Sequence, residues 1–158
     1  MSKECAKNFN LLLVTEKTYD AFMRYLSQNS SGEGLRLLFL WTDLNVFKHL
    51  SNGTKKDINV LSSEIYDKYI NENGEKYIDI PTNIIIKIEN SYKKSFKDVY
   101  DPCFEELLQY VFNTLKDIYY PNFKISDKYK ELEKDLETDE IIYSRLLASS
   151  MISSIELI

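Results

Sequence analysis

Phe104–Leu132, FEELLQYVFNTLKDIYYPNFKISDKYKEL, joins an amphipathic helix to an aromatic-proline corner and then to a second capped helix. Phe104, Leu107, Leu108, Val111, Phe112, Leu115 and Ile118 recur at helical spacing and predict one continuous apolar stripe. Asp101-Pro102 just upstream reads as an N-cap followed by proline at the first helical position. Glu105 and Glu106 then complement the positive end of the helix dipole. Pro121 is expected to end the run and Ser126 to cap the next helix, with Tyr129, Leu132 and Leu136 facing inward.

Towards the C-terminus, Thr138 is a candidate cap for a last helix over 138–158, with Ile141, Ile142, Leu146 and Met151 on its inner side. Its apolar end, MISSIELI, lacks the Lys/Arg face of a membrane-surface helix, which favours packing onto the bundle or an interface. Towards the N-terminus, Ile84–Ile88 is β-branched and reads as a strand on propensity alone. Ile84, Ile85, Ile88 and Tyr92 nevertheless share one helical face and no partner strand is evident, so the segment is read as helix, begun by Pro81. Ile58, Leu61, Ile65, Tyr66, Tyr69 and Ile70 form another stripe, and Gly74 beyond it suits a left-handed C-terminal position. Leu35–Leu50 is apolar nearly all round, the mark of a central helix, and Ser51–Thr54 breaks it. Before a Ser/Gly/Asn loop at 27–34, Tyr19, Phe22, Met23 and Leu26 lie on one face of a shorter helix. The expectation is an all-α bundle of about seven to nine helices, forming one domain over residues 1–158.

Composition narrows the function. A net charge of −5, with lysines interleaved among acids, argues against a nucleic-acid binder. Twelve tyrosines suggest a stacking platform for RNA, but most fall on the apolar stripes and read as core. Cys5 and Cys103 are too few for a disulfide framework and lack metal spacing, so no metal and no cofactor is expected. His49 is the one histidine, and no G-x-S-x-G elbow accompanies any serine; a catalytic device of the domain's own is not expected. Glu105 and Glu106 are adjacent, so they point about 100° apart rather than forming an acid/base pair. No run approaches a membrane span, and a cytoplasmic domain is expected, with membrane association through its partner or a larger parent protein left open.

From about Tyr19 to Leu132 the order of these pieces resembles a regulator of G-protein signalling (RGS) domain. Ala21–Leu26, AFMRYL, is similar to that family's F-x-x-F-L segment. Leu40-Trp41 with Phe47-Lys48 resembles its central helix, and Glu64–Ile70 its I-Y-x-x-[FY]-[IL] helix. Ile78-Asp79-Ile80 falls where the family has an [IV]-N-[IL] turn, Phe104-Glu105-Glu106 where it has F-D-E. Tyr120, Pro121, Phe123, Ser126 and Tyr129 match its closing Y-P-x-F-x-x-S-x-x-Y. The resemblance implies an RGS-like helical bundle that binds a Gα subunit and accelerates GTP hydrolysis by bracing its switch regions.

Carrying the family's contact positions onto this chain gives Arg36 and Leu37, or Glu33 if a gap is allowed, for a Glu-Asn pair before the Trp. Asp79 stands for a key asparagine, Thr114 for a leucine, Ile118-Tyr119 for an Asp-Ser pair and Asn122 for an arginine. The apolar scaffold positions are kept while these polar positions differ. The resemblance therefore also implies an alternative: an RGS-homology adaptor or scaffold that holds another protein partner without accelerating hydrolysis.

Overall fold

Helical periodicity governs nearly every stretch of the chain, and the computed structural model, which describes residues 3–29, 32–49, 55–93 and 102–156, has no strand among them. Two compact units emerge: one from the two ends of the chain, Met1–Gln28 with Tyr120–Ile158, the other from Asn29–Tyr119.

The unit of the chain ends contains α1 (Glu4–Lys7), α2 (Phe9–Val14), α3 (Glu16–Asn29), α8 (Tyr120–Lys124) and α9 (Asp127–Glu156). The Asn8 side chain caps α2 by accepting from Leu11 N–H at 3.3 Å. Aromatic rings fill the core: Phe9 meets Phe22 edge-on at 5.8 Å and Tyr120 at 4.8 Å, and Phe123 lies 5.2 Å from Phe22 and 5.3 Å from Tyr129. The Tyr120 hydroxyl donates to the Ala6 carbonyl at 2.6 Å, satisfying one of the last carbonyls of α1, which lack intrahelical partners. Ser126 caps α9 as expected, its hydroxyl accepting from Tyr129 N–H at 3.3 Å and donating to the Phe123 carbonyl at 2.6 Å.

Thr138 does not start a helix. It sits inside α9, whose thirty residues contain no Gly or Pro to interrupt them, and its hydroxyl donates back to the Lys134 carbonyl at 3.0 Å. Nor do Ile141, Ile142, Leu146 and Met151 face inward; they are 49–65% exposed. The packed face of α9 ends at Leu136, where Lys17 pairs with Asp139 at 2.7 Å and Lys3 N–H donates to Glu140 at 2.7 Å.

The middle unit contains α4 (Glu33–His49), α5 (Lys55–Ile65), α6 (Thr82–Lys93) and α7 (Pro102–Thr114). α4 packs on both α5 and α7, and α6 on α7. Leu37, Leu38 and Leu40 are all buried although they point in different directions around α4, which makes it the central helix its sequence predicts. Ile84 and Ile88 are buried while Ile86 is half exposed, so the β-branched run takes the helical period. The Pro81 carbonyl accepts from Ile84 and Ile85, placing the proline at the cap of α6. The cap expected at Asp101 and the break at Ser51–Thr54 lie outside the described residues.

α5 and α7 both end in a π-helical turn, Tyr66–Ile70 and Leu115–Tyr119. Such a turn closes i→i+5 bonds and so carries an extra residue. That residue rotates Ile118 off the α7 stripe: Leu115 is buried, whereas Ile118 is 57% exposed instead of inward. Pro121 does not end the helical run either; it occupies the second residue of α8, directly after the π turn, and the helix continues to Lys124. After the first π turn the chain folds back, with Lys76 N–H donating to the Lys68 carbonyl and Ile78 N–H to that of Tyr69, both at 3.0 Å. Gly74 is not left-handed. It is required because a Cβ would stand 2.5 Å from the carbonyl oxygens of Asp67 and Lys68.

A candidate protein-contact face on the middle unit

Gly32 opens this face. Its φ of +89° is the backbone conformation that favours glycine, and its carbonyl accepts from Arg36 N–H at 3.0 Å to start α4. The Arg36 guanidinium folds back towards it, so that a Cβ on Gly32 would lie 3.3 Å from Nη1. The buried Nε of Arg36 has no hydrogen-bond partner among the described residues.

The second π turn lies against α4, and Tyr119 lies within electrostatic reach of Glu33, Tyr110 and Arg36. Burial pushes the Tyr119 hydroxyl above its ordinary range; Glu33 and Tyr110 push it further, and Arg36 pulls it back. Thr114 lies one turn beyond Tyr110 and donates its hydroxyl to the Tyr110 carbonyl at 2.8 Å. Tyr119, far from Glu33 and Arg36 in sequence, thus comes within electrostatic reach of both, and Thr114 bonds back to Tyr110 on the same helix. Tyr110 was not singled out from sequence, although its i,i+4 relation to Thr114 was there to read.

The remaining candidates divide. Ile118 is exposed beside Tyr119. Asp79 is exposed between buried Ile78 and Ile80, the in-out-in alternation of an extended segment entering α6. Leu37 is 1% exposed and belongs to the core, so it offers no side chain to a partner. Its burial follows from α4 being enclosed on several sides. Asn122 is exposed but sits in α8, in the unit of the chain ends.

The chemistry available here is hydrogen bonding and charge. Among the described residues no three His, Cys, Asp or Glu side chains gather as a metal would need. His49 is exposed in the last turn of α4, where Nδ1–H donates to the Asn45 carbonyl at 2.8 Å. Glu105 and Glu106 pair separately with Lys48 at 3.1 Å and Lys87 at 2.8 Å, two carboxylates spent on different surface contacts. No helix among the described residues is long and apolar enough to cross a membrane.

The family model for the regulator of G protein signaling domain matches residues 8–132. Human sorting nexin-25 is 31% identical over 101 residues, which is 61% of this chain and 10% of that protein. The chain thus spans a small part of the curated relative it matches.

Proposed function

Because this chain belongs to the regulator of G protein signaling family, we propose that it docks on a Gα subunit through the middle-unit face and accelerates its GTP hydrolysis. The observation that carries this reading is the family match over most of the chain, joined to a polar group, Glu33, Arg36 and Tyr119, at a position carried over as contact. Gα supplies its own arginine and a glutamine that orients the attacking water. The partner then has only to hold the switch loops in the transition-state arrangement, a positional and electrostatic task that needs no acid or base of its own. Glu33, Arg36, Thr114, Ile118 and Tyr119 are the proposed contacts, with Asp79 as a further one. Asp79 accepts hydrogen bonds but donates none, and it adds negative charge where an asparagine would do both.

Single-turnover GTP hydrolysis by the organism's own Gα subunits tests the proposal. Acceleration, with binding favoured in the aluminium-fluoride state, is expected. The substitution Asp79→Asn should raise the rate, since it restores a donor and removes a charge at an exposed position. Absence of both acceleration and transition-state binding with every Gα sinks the reading.

A second reading is an adaptor that binds another protein without accelerating hydrolysis. The changed polar positions favour it, as does the similarity to a protein named a sorting nexin. A pull-down recovering only Gα, and only in its transition-state form, would contradict it.

A further inference from the structure

A groove lies on the middle unit, lined by none of the residues of the contact face above. Asp43 is ten residues along α4 from Glu33, about 15 Å away at the helical rise. Here α4, the end of α5 and the returning segment around Gly74 enclose an open groove of about 610 Å³. That lies within the range of roughly 300–1,000 Å³ over which pockets hold discrete ligands. One wall is fixed in place: the close approach of Gly74 to two carbonyls, and the Lys76–Lys68 and Ile78–Tyr69 backbone bonds, pin the return.

The groove has an apolar floor and an acidic rim. Val46 is 49% exposed in it, beside Leu61 and the buried Ile65. Asp43, Glu64, Asp67 and Glu75 line it against the single ammonium of Lys68. Lys68 is engaged with Asp43 at 3.5 Å, and Asp43 also accepts from the Tyr69 hydroxyl. Glu64, Asp67 and Glu75 remain exposed, and none of the three has an ion-pair partner among the described residues.

We infer that this groove binds a basic amphipathic segment of another protein, one carrying lysine or arginine on either side of an aliphatic residue. A purely apolar segment would strand three carboxylates as it covered them. A small cation would leave the floor bare, and a nucleic acid would meet like charge. Lysine stems suit both features at once, lying along Val46 and Leu61 with the ammonium groups at the rim. Complementary charge sets the specificity and the salt dependence of such docking.

The probe is a fluorescein-labelled Arg-Lys-Leu-Leu-Lys-Arg peptide, read by anisotropy and by amide shift mapping on the full chain. Saturable binding is expected, with shifts concentrated at residues 43–46, 64–68 and 73–75. The exposed double substitution Asp67→Lys with Glu75→Lys should weaken it about tenfold while leaving the circular dichroism and thermal midpoint unchanged. A glutamate-for-basic control peptide should not bind. Shifts scattered elsewhere, or affinity within twofold after charge reversal, overturn the proposal. Equal shifts from spermine assign the groove to small cations, and groove shifts that track protein concentration without peptide assign it to a second copy; either result overturns it too.

Discussion

Removing one oxygen atom should expose how the two ends of the chain are held. In Tyr120→Phe the ring keeps its place against Phe9, 4.8 Å away, but the 2.6 Å hydrogen bond to the Ala6 carbonyl is lost. Both partners are buried, Tyr120 at 6% exposure and Ala6 at 0%. Leaving a buried acceptor unsatisfied costs about 1–3 kcal/mol. For a chain of this size 2 kcal/mol corresponds to roughly 4–8 °C in Tm. Urea unfolding should show a lower midpoint with an unchanged slope.

The pH dependence sharpens the test. Burial, and then Tyr129, push the Tyr120 hydroxyl from 10.0 up to about 12. Between those values the unfolded chain loses the proton while the folded chain keeps it, so stability falls as pH rises. The contribution is complete below pH 10 and is lost as pH climbs through about 12. Phenylalanine has no such proton. The advantage of the natural protein over Tyr120→Phe should therefore shrink by about 1–2 kcal/mol across this window, allowing for screening near the surface. Equal stability of the two proteins at pH 8, or a constant difference from pH 8 to 12, would refute the reasoning.

Leu37→Ala should destabilise by about 2–5 kcal/mol in urea unfolding because it opens a cavity under α4, whereas Ile118→Ala should change stability by under about 0.5 kcal/mol and act only on partner binding. Gly74→Ala puts a methyl group 2.5 Å from two backbone oxygens and should cost about 1–3 kcal/mol, with amide shift changes centred on 66–78. The hydrogen bond from Lys17 holds the Asp139 carboxyl below its ordinary value of 3.8, so carbon-detected titration of Lys17→Met should show that midpoint rising. The exposed apolar side of α9 bears no fold: Ile142→Glu and Leu146→Glu should each leave Tm within about 2 °C.

Local signals made much of this architecture readable. The α7 stripe, the Ser126 cap and the all-round apolar α4 each rest on neighbours within a few residues, where spacing and capping chemistry decide the outcome. Even the ambiguous Ile84–Ile88 yields to its helical face, since the described residues hold no second strand to pair with it. The misplacements arose where a local rule had two solutions. Thr138 can cap a helix or bond back within one, and the lack of any helix breaker around it selects the second. Ile118 fits both the inner stripe and the contact set, and only the extra residue of a π turn separates the two roles.

The candidate site shows the same division more strongly. Resemblance supplied its residues one at a time, but whether they form a face depends on tertiary packing. The fold buries Leu37, turns Ile118 outward, and brings Tyr119 to Glu33 and Arg36. None of these outcomes follows from the identity of the residue concerned. The first follows from the enclosure of α4, and the other two from the π turn at the end of α7, which re-aims one isoleucine and one tyrosine without disturbing the leucine that anchors them. A substitution that converts Leu115–Tyr119 to regular α-helix would return Ile118 to the core stripe and carry Tyr119 away from α4. On this reasoning partner recognition depends on the backbone of that turn as much as on its side chains.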